Sequence, residues 1–242
     1  MYNLRTDMAI DKNKKYKQIK KYKNNIEILE NKVNNSIYHT IKFNNIYNNK
    51  DIIRILKKEI KYFITLNKNK INHILIVGLG NESNTADSIG PKTIKNIKVN
   101  FNIDNINNIN KIKVSALIPG VLGITGIETN KTILSVTKQI KPDLIILIDS
   151  LVTNNIEFIN KTIEISNKSL NPGSGIYGNN KEIKTKIPTI SIGIPTSLEY
   201  IHNNIPFLLT PSNIDNYVDN ISKIISDSIN ILIYKELTDT PV

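Results

Sequence analysis

The chain has 242 residues, 40% of them hydrophobic, with 32 Lys and Arg against 21 Asp and Glu and no cysteine. That is enough for one large domain, so 1–242 is read as a single unit. Disulfides, thiolate zinc sites and a cysteine nucleophile are excluded, and no apolar run approaches the roughly 20 residues of a membrane span. The formal charge of +11 raises a polyanion as partner. Lys, Asn and Ile dominate loops and elements alike, however, and all three can be written with A- and T-rich codons. The lysines are therefore read as solvated surface, not as a nucleic-acid patch.

Residues 1–25 are polar and lysine-rich, with little to bury, and are expected to be mobile in part. They lack the apolar core of a signal peptide, so a cytoplasmic protein is expected. Residues 26–29 and 36–43 flank Asn34-Asn35, a hairpin turn. Residues 51–66 read as a helix with Asp51 as N-cap and Ile52, Ile55, Leu56, Ile60 and Phe63 at helical spacing. Residues 74–77 form a strand entering the turn Gly78-Leu79-Gly80-Asn81. A short helix is expected from Ser88–Pro91, since proline suits a first turn. Residues 101–111 are an Asn/Ile-rich connection. A strand follows at 113–118, then a glycine-rich loop at 119–126, a helix at 128–140 and a central strand at 144–148 ending on Asp149. Further strands are expected at 158–166 and at 189–194, the latter closed by Pro195. Between them, 171–180 is a Gly/Asn-rich loop. A long amphipathic helix over 212–234, capped by Ser212, ends the chain. Strands alternating with helices predict an α/β, three-layer sandwich around a mainly parallel, twisted central sheet.

Two aspartates carry the chemistry. Asp87 follows the run Ile74-Leu-Ile-Val77, and Asp149 closes Leu144-Ile-Ile-Leu-Ile148. Charged groups are seldom placed beside such strands without a partner or a task. If the strands are neighbours in a parallel sheet, both carboxylates emerge at its C-terminal edge, where α/β proteins place their sites. Such a pair can share a proton. The plainer readings stay open: Asp87 as cap of the following helix, and Asp149 as cap of a turn. Gly78-x-Gly80 lacks the third glycine of a dinucleotide fingerprint, since Ser83 stands in its place. His39, His73 and His202 lie in different elements without metal-ligand spacing and read as structural or surface residues. Ser174, in Pro172-Gly-Ser-Gly175, lies outside any G-x-S-x-G context and reads as part of a substrate-facing or structural loop.

Several stretches, in order, resemble the spore germination proteases: LRTDMAID, VGLGNESNTADSIGPK, VSALIPGVLGITGIETNKTI, IKPDLIILIDSL, NKTIEISN, LNPGSG, TISIGIPTSL and TPSNIDNYVDNIS. They span nearly the whole chain. The resemblance implies a fold similar to that of hydrogenase-maturation proteases. It implies an endopeptidase of the spore core or forespore that degrades small acid-soluble spore proteins, with catalytic aspartates matching Asp87 and Asp149. It also implies a homotetrameric zymogen activated by removal of an N-terminal propeptide, with no cofactor and no membrane or nucleic-acid partner. The glycine loops then become substrate-binding or oxyanion candidates: Gly78, Gly80 and Asn81; Gly120, Gly123, Gly126 and Glu128; Gly173, Ser174 and Gly175.

The chain departs from the family in places. Only Met1, Tyr2 and Asn3 precede Leu4-Arg5-Thr6-Asp7, so the usual propeptide is expected to be missing or the start to lie elsewhere. Ser150-Leu-Val-Thr-Asn-Asn155 replaces an alanine-rich stretch with an arginine. Tyr177 interrupts the glycine loop, Asn180 stands where a basic residue is common, and Ile124 occupies an often polar position. Two alternatives follow. One is a catalytically degenerate homologue that binds spore proteins or joins a hetero-oligomer. The other is a metal-assisted, maturation-type endopeptidase, whose relatives use carboxylates and a histidine around a metal.

Overall fold

The computed structural model describes residues 4, 6–12, 16–46, 49–67, 69–101, 112–169, 183 and 185–237. In chain order the first half holds α1 (Ala9–Lys12), β1 (Tyr16–Lys21), β2 (Glu27–Val33), β3 (Ser36–Lys42), α2 (Asn49–Thr65), β4 (His73–Gly78) and α3 (Ile89–Ile94). The second half holds β5 (Lys113–Leu117), α4 (Leu122–Thr125), α5 (Thr129–Ile140), β6 (Leu144–Thr153), β7 (Thr162–Ser166), β8 (Thr189–His202), β9 (Ile205–Leu209) and α6 (Ile214–Ile231). The described strands form one sheet in the order β1-β2-β3-β7-β8-β6-β4-β5, with β9 paired to β8.

The expected mainly parallel sheet is corrected to a mixed one. β5, β4, β6 and β8 run parallel, whereas β1, β2, β3, β7 and β9 join antiparallel. The reason lies in burial. Strands covered on both faces read as unbroken apolar runs, as in β4, where every residue is buried. The antiparallel strands alternate and read weakly. Helices α2, α3 and α6 cover one face: Ile52, Ile55, Leu56, Ile60 and Phe63 of α2 pack with Ile74, Ile76, Ile146 and Ile148. On the other face Ile133 of α5 packs on Leu75, Val77, Ile145 and Leu147. The result is a three-layer sandwich over the parallel half.

Several boundaries differ from expectation. β6 runs past Ile148 to Thr153, so Asp149 lies inside the strand, opposite Gly193 of β8. β8 is not closed by Pro195: it continues to His202, with Pro195 beside a register shift between Leu151 and Val152. An irregular ladder needs no N–H there, which is how a strand accommodates proline. The expected strand at 158–166 shortens to β7, because the chain turns over residues 156–161. Asp51 lies in the first turn of α2 instead of capping it, and accepts bonds from Asn24 (2.8 Å) and Arg54 (3.1 Å). Ser212 does not cap α6; Asn213 holds that position without a side-chain bond. The last turns of the expected C-terminal helix form a π-type segment, Leu232–Glu236. Residues 1–25 bury more than composition suggested: Met8, Ala9 and Ile10 are inside, Met8 and Ile10 with Leu29, Leu151 and Phe158. The hairpin at Asn34-Asn35 joins β2 to β3 as expected.

Candidate active site

β4 and β6 lie side by side, Gly78 opposite Ile148. Their C-terminal ends therefore deliver the two aspartate segments to one edge of the sheet. The Leu79 N–H donates to the Ile148 carbonyl at 2.8 Å, and the chain then leaves the sheet. Gly80 makes that departure at φ +112°, and a Cβ there would lie 2.0 Å from the Asp87 carbonyl oxygen. Both facts demand glycine. At Gly78 a Cβ would meet the Gly90 carbonyl oxygen at 2.4 Å, so the bare backbones let α3 ride against β4. The 3-10 turn Thr85–Asp87 packs on β6 and β8, and the Thr196 hydroxyl donates to the Ala86 carbonyl at 2.7 Å.

This arrangement brings Asp87 and Asp149 together. Burial raises Asp87 to about 6, opposed by the Asn81 N–H, which donates to its Oδ2 at 2.9 Å. Burial also raises Asp149 well above the usual carboxylate range, and the negative charges of Asp87 and Asp7 push it further. The Ser150 N–H, donating to Asp149 Oδ1 at 2.9 Å, opposes that rise. Two carboxylates coupled in this way titrate as a unit. Near neutral pH the pair holds a shared proton mainly on Asp149, leaving Asp87 as the stronger base.

The register extends the site sideways. Leu29, Thr40, Glu164, Gly193 and Asp149 form one row across β2, β3, β7, β8 and β6. Gly193 has no side chain, and over it lies a cavity of about 100 Å³ flanked by Asp149 and Glu164, with Asp7, Lys12 and Lys168 in its walls. Burial raises Glu164 to about 7 against the pull of the Ala9 and Ile10 N–H groups. Its two oxygens accept from Ala9 at 3.2 and 3.0 Å. The Asp7 N–H donates to the Val152 carbonyl at 2.8 Å, and the Val152 N–H donates to Asp7 Oδ2 at 3.0 Å. The N-terminal segment thus lies against β6 just beyond Asp149. Sequence reasoning did not select Asp7 or Glu164. The signals were there: an aspartate within the Leu4-Arg-Thr-Asp7 stretch, and a lone carboxylate in the alternation Thr162-Ile-Glu-Ile-Ser166.

The other candidates divide. Asn81 holds Asp87, and Gly78 and Gly80 shape its turn. Gly120 accepts the Thr129 hydroxyl at 2.9 Å, while Gly123 and Gly126 sit in open space around α4. Glu128 precedes α5 and pairs with Lys131 at 3.5 Å. Gly173, Ser174 and Gly175 lie outside the described residues, as do Tyr177 and Asn180. No histidine reaches the aspartates: His39 is buried against Glu59 at 2.6 Å, His73 begins β4 at the far end from Gly78, and His202 ends β8. Among the described residues no group of three or more His, Cys, Asp or Glu is placed to hold a metal ion. The expected carboxylate-and-histidine metal site therefore does not fit here. No helix of the described residues is long and apolar enough to cross a membrane.

Comparison with known proteins bears on the same residues. The family model described as germination protease matches residues 6–205. The germination protease of Priestia megaterium is 41% identical over 155 residues, covering 61% of this chain but only 42% of that protein. That of Clostridium perfringens is 28% identical over 314 residues, covering 96% of this chain and 95% of its own. Among solved structures, the [NiFe] hydrogenase maturation protease HycI from Thermococcus kodakarensis superposes with a TM-score of 0.42 at 15% identity, over 66% of this chain and 94% of that one.

Proposed function

The chain belongs to the germination protease family, and from that premise we propose that it is an endopeptidase of germinating spores that cuts small acid-soluble spore proteins with Asp87 and Asp149. The observation that carries this reading is the coupled pair itself: two partly buried carboxylates at one sheet edge, each with a raised pKa, the charge of Asp87 contributing to the shift of Asp149. The tetrameric assembly, the zymogen form and the spore-core location implied by the resemblance belong to the same proposal.

In the mechanism, ionised Asp87 takes a proton from water as the oxygen attacks the scissile carbonyl carbon. Protonated Asp149 donates its proton to the carbonyl oxygen, giving a neutral tetrahedral intermediate. As the C–N bond breaks, Asp87 returns its proton to the amine and Asp149 recovers its own from the hydroxyl, so the pair ends as it began. The fixed N–H donors from Asn81 and Ser150 hold the two carboxylates without reorganisation. The cavity over Gly193 offers room for a substrate side chain next to Asp149.

The test is incubation of the purified full chain with a small acid-soluble spore protein, read by mass spectrometry beside the Asp87→Asn and Asp149→Asn variants. Internal cleavage by the parent and none by either folded variant is expected. Undiminished cleavage by either variant sinks the dyad. No cleavage by the parent favours the degenerate, binding reading.

A further inference from the structure

β8 runs on beyond its pairing with β6, turns at Asn203-Asn204 and returns as β9, an antiparallel ribbon off the main path of the sheet. Asn203 (φ 48°) and Asn204 (φ 62°) adopt the left-handed conformation that two-residue hairpin turns use to match strand twist. The arm is therefore a built hairpin. The register pairs Leu198 with Leu209, Tyr200 with Phe207, and His202 with Ile205. Side chains of directly opposed residues share a face, as do residues two apart. These six consequently form one continuous face, and the stacked rings of Tyr200 and His202 mark it.

That face lies in water. Tyr200 is 48% exposed, Ile205 57%, Phe207 44% and Leu209 45%. A two-stranded ribbon is marginal by itself, and a contiguous apolar face on an edge ribbon is a standing invitation to association. A substrate visits only briefly, so a face exposed at all times needs a resident cover. The chemistry of the face indicates which. In a chain of net charge +11 two copies repel over most of their surfaces. The six residues carry no formal charge with His202 neutral, so two copies meet here without opposing like charges.

We propose that the arm is a self-association surface and that its apolar face is covered by the same arm of a second copy, across a two-fold axis. Such an interface is isologous, each Tyr200–Phe207 pair packing against its mate. The arms supply the dry centre, and body contacts around them complete the roughly 800 Å² per partner of a stable interface. This deepens the assembly part of the function proposed above. It rests on the arm alone, so failure of the peptidase assay leaves it untouched, and failure here leaves the dyad untouched.

The experiment is sedimentation velocity on the full chain at micromolar concentration. The double variants Tyr200→Glu/Phe207→Glu and Tyr200→Lys/Phe207→Lys are run singly and mixed, with circular dichroism as the fold control. The parent is expected to sediment as an even-numbered oligomer, each variant at half its mass, and the mixture at the parent mass. A monomeric parent, or variants that keep the parent mass, overturns the proposal. Hydrogen exchange on the parent decides the matter even if the variants precipitate. The exchange rate over Ile205–Leu209 should fall several-fold as concentration rises. Protection independent of concentration means a cover from within the chain, and absence of protection means no cover; either overturns it.

Discussion

The two halves of the sheet are built on different terms. In the parallel half, β4 and most of β6 are buried on both faces, and polarity is expelled to one edge. In the antiparallel half, polar side chains are carried inside: Asn31, His39, Thr40, Glu164 and Ser166 are all buried, several of them tied to the N-terminal segment or to α2. One half concentrates stability, and the other accommodates charge. The candidate site lies on the seam, with Asp149 contributed by the parallel half and Glu164 by the antiparallel one. The lesson is that a site of this kind needs both: rigid strands to fix its edge, and a polar neighbour in which a cavity can stay wet.

The largest effect expected is at the seam. Asp149→Asn and Asp87→Asn should each lower peptidase turnover about a thousandfold, within the range of a lost acid or base and equal to about 4 kcal/mol of barrier. Steady-state rates with unchanged circular dichroism check this, and a loss under tenfold would detach chemistry from the seam. Next comes the parallel core, where Ile146→Ala opens a cavity between the α2–α6 layer and the sheet. It should cost about 3–4 kcal/mol, read from urea unfolding. Gly80→Ala places a methyl where the Asp87 carbonyl stands, at about 2–3 kcal/mol, and should depress activity beyond its effect on stability by displacing Asp87.

The antiparallel half predicts smaller and opposite effects. Burial raises Glu164 from 4.5 to about 7. Between those values the folded chain keeps a proton that the unfolded chain has released, so stability falls as pH rises through that window and levels off above it. Glu164→Gln should flatten this slope and gain about 2 kcal/mol at pH 8, seen as urea midpoints against pH. An unchanged slope would show that Glu164 is not buried against Ala9. Thr40→Val, smallest of all, removes a buried hydroxyl for which no partner is found. It should be neutral or stabilising by up to about 1 kcal/mol; a clear loss would mean the hydroxyl is bonded through water.

The sequence by itself determined the parallel half and the edge of the site. Apolar runs long enough to be buried on both faces announce central strands, and a charge at the end of such a run has few explanations, which is why Asp87 and Asp149 stood out before any fold was known. Glycine spacing around residue 80 announced a tight departure from the strand. Only the tertiary structure decided the rest. β1 and β9 carry too few buried residues to leave a period, so their pairing depends on neighbours the chain acquires on folding. Asp7 and Glu164 are far from Asp149 in sequence. They reach its surroundings only because five strands bring Leu29, Thr40, Glu164, Gly193 and Asp149 into one row. Register is a property of paired strands, and no local pattern of residues contains it.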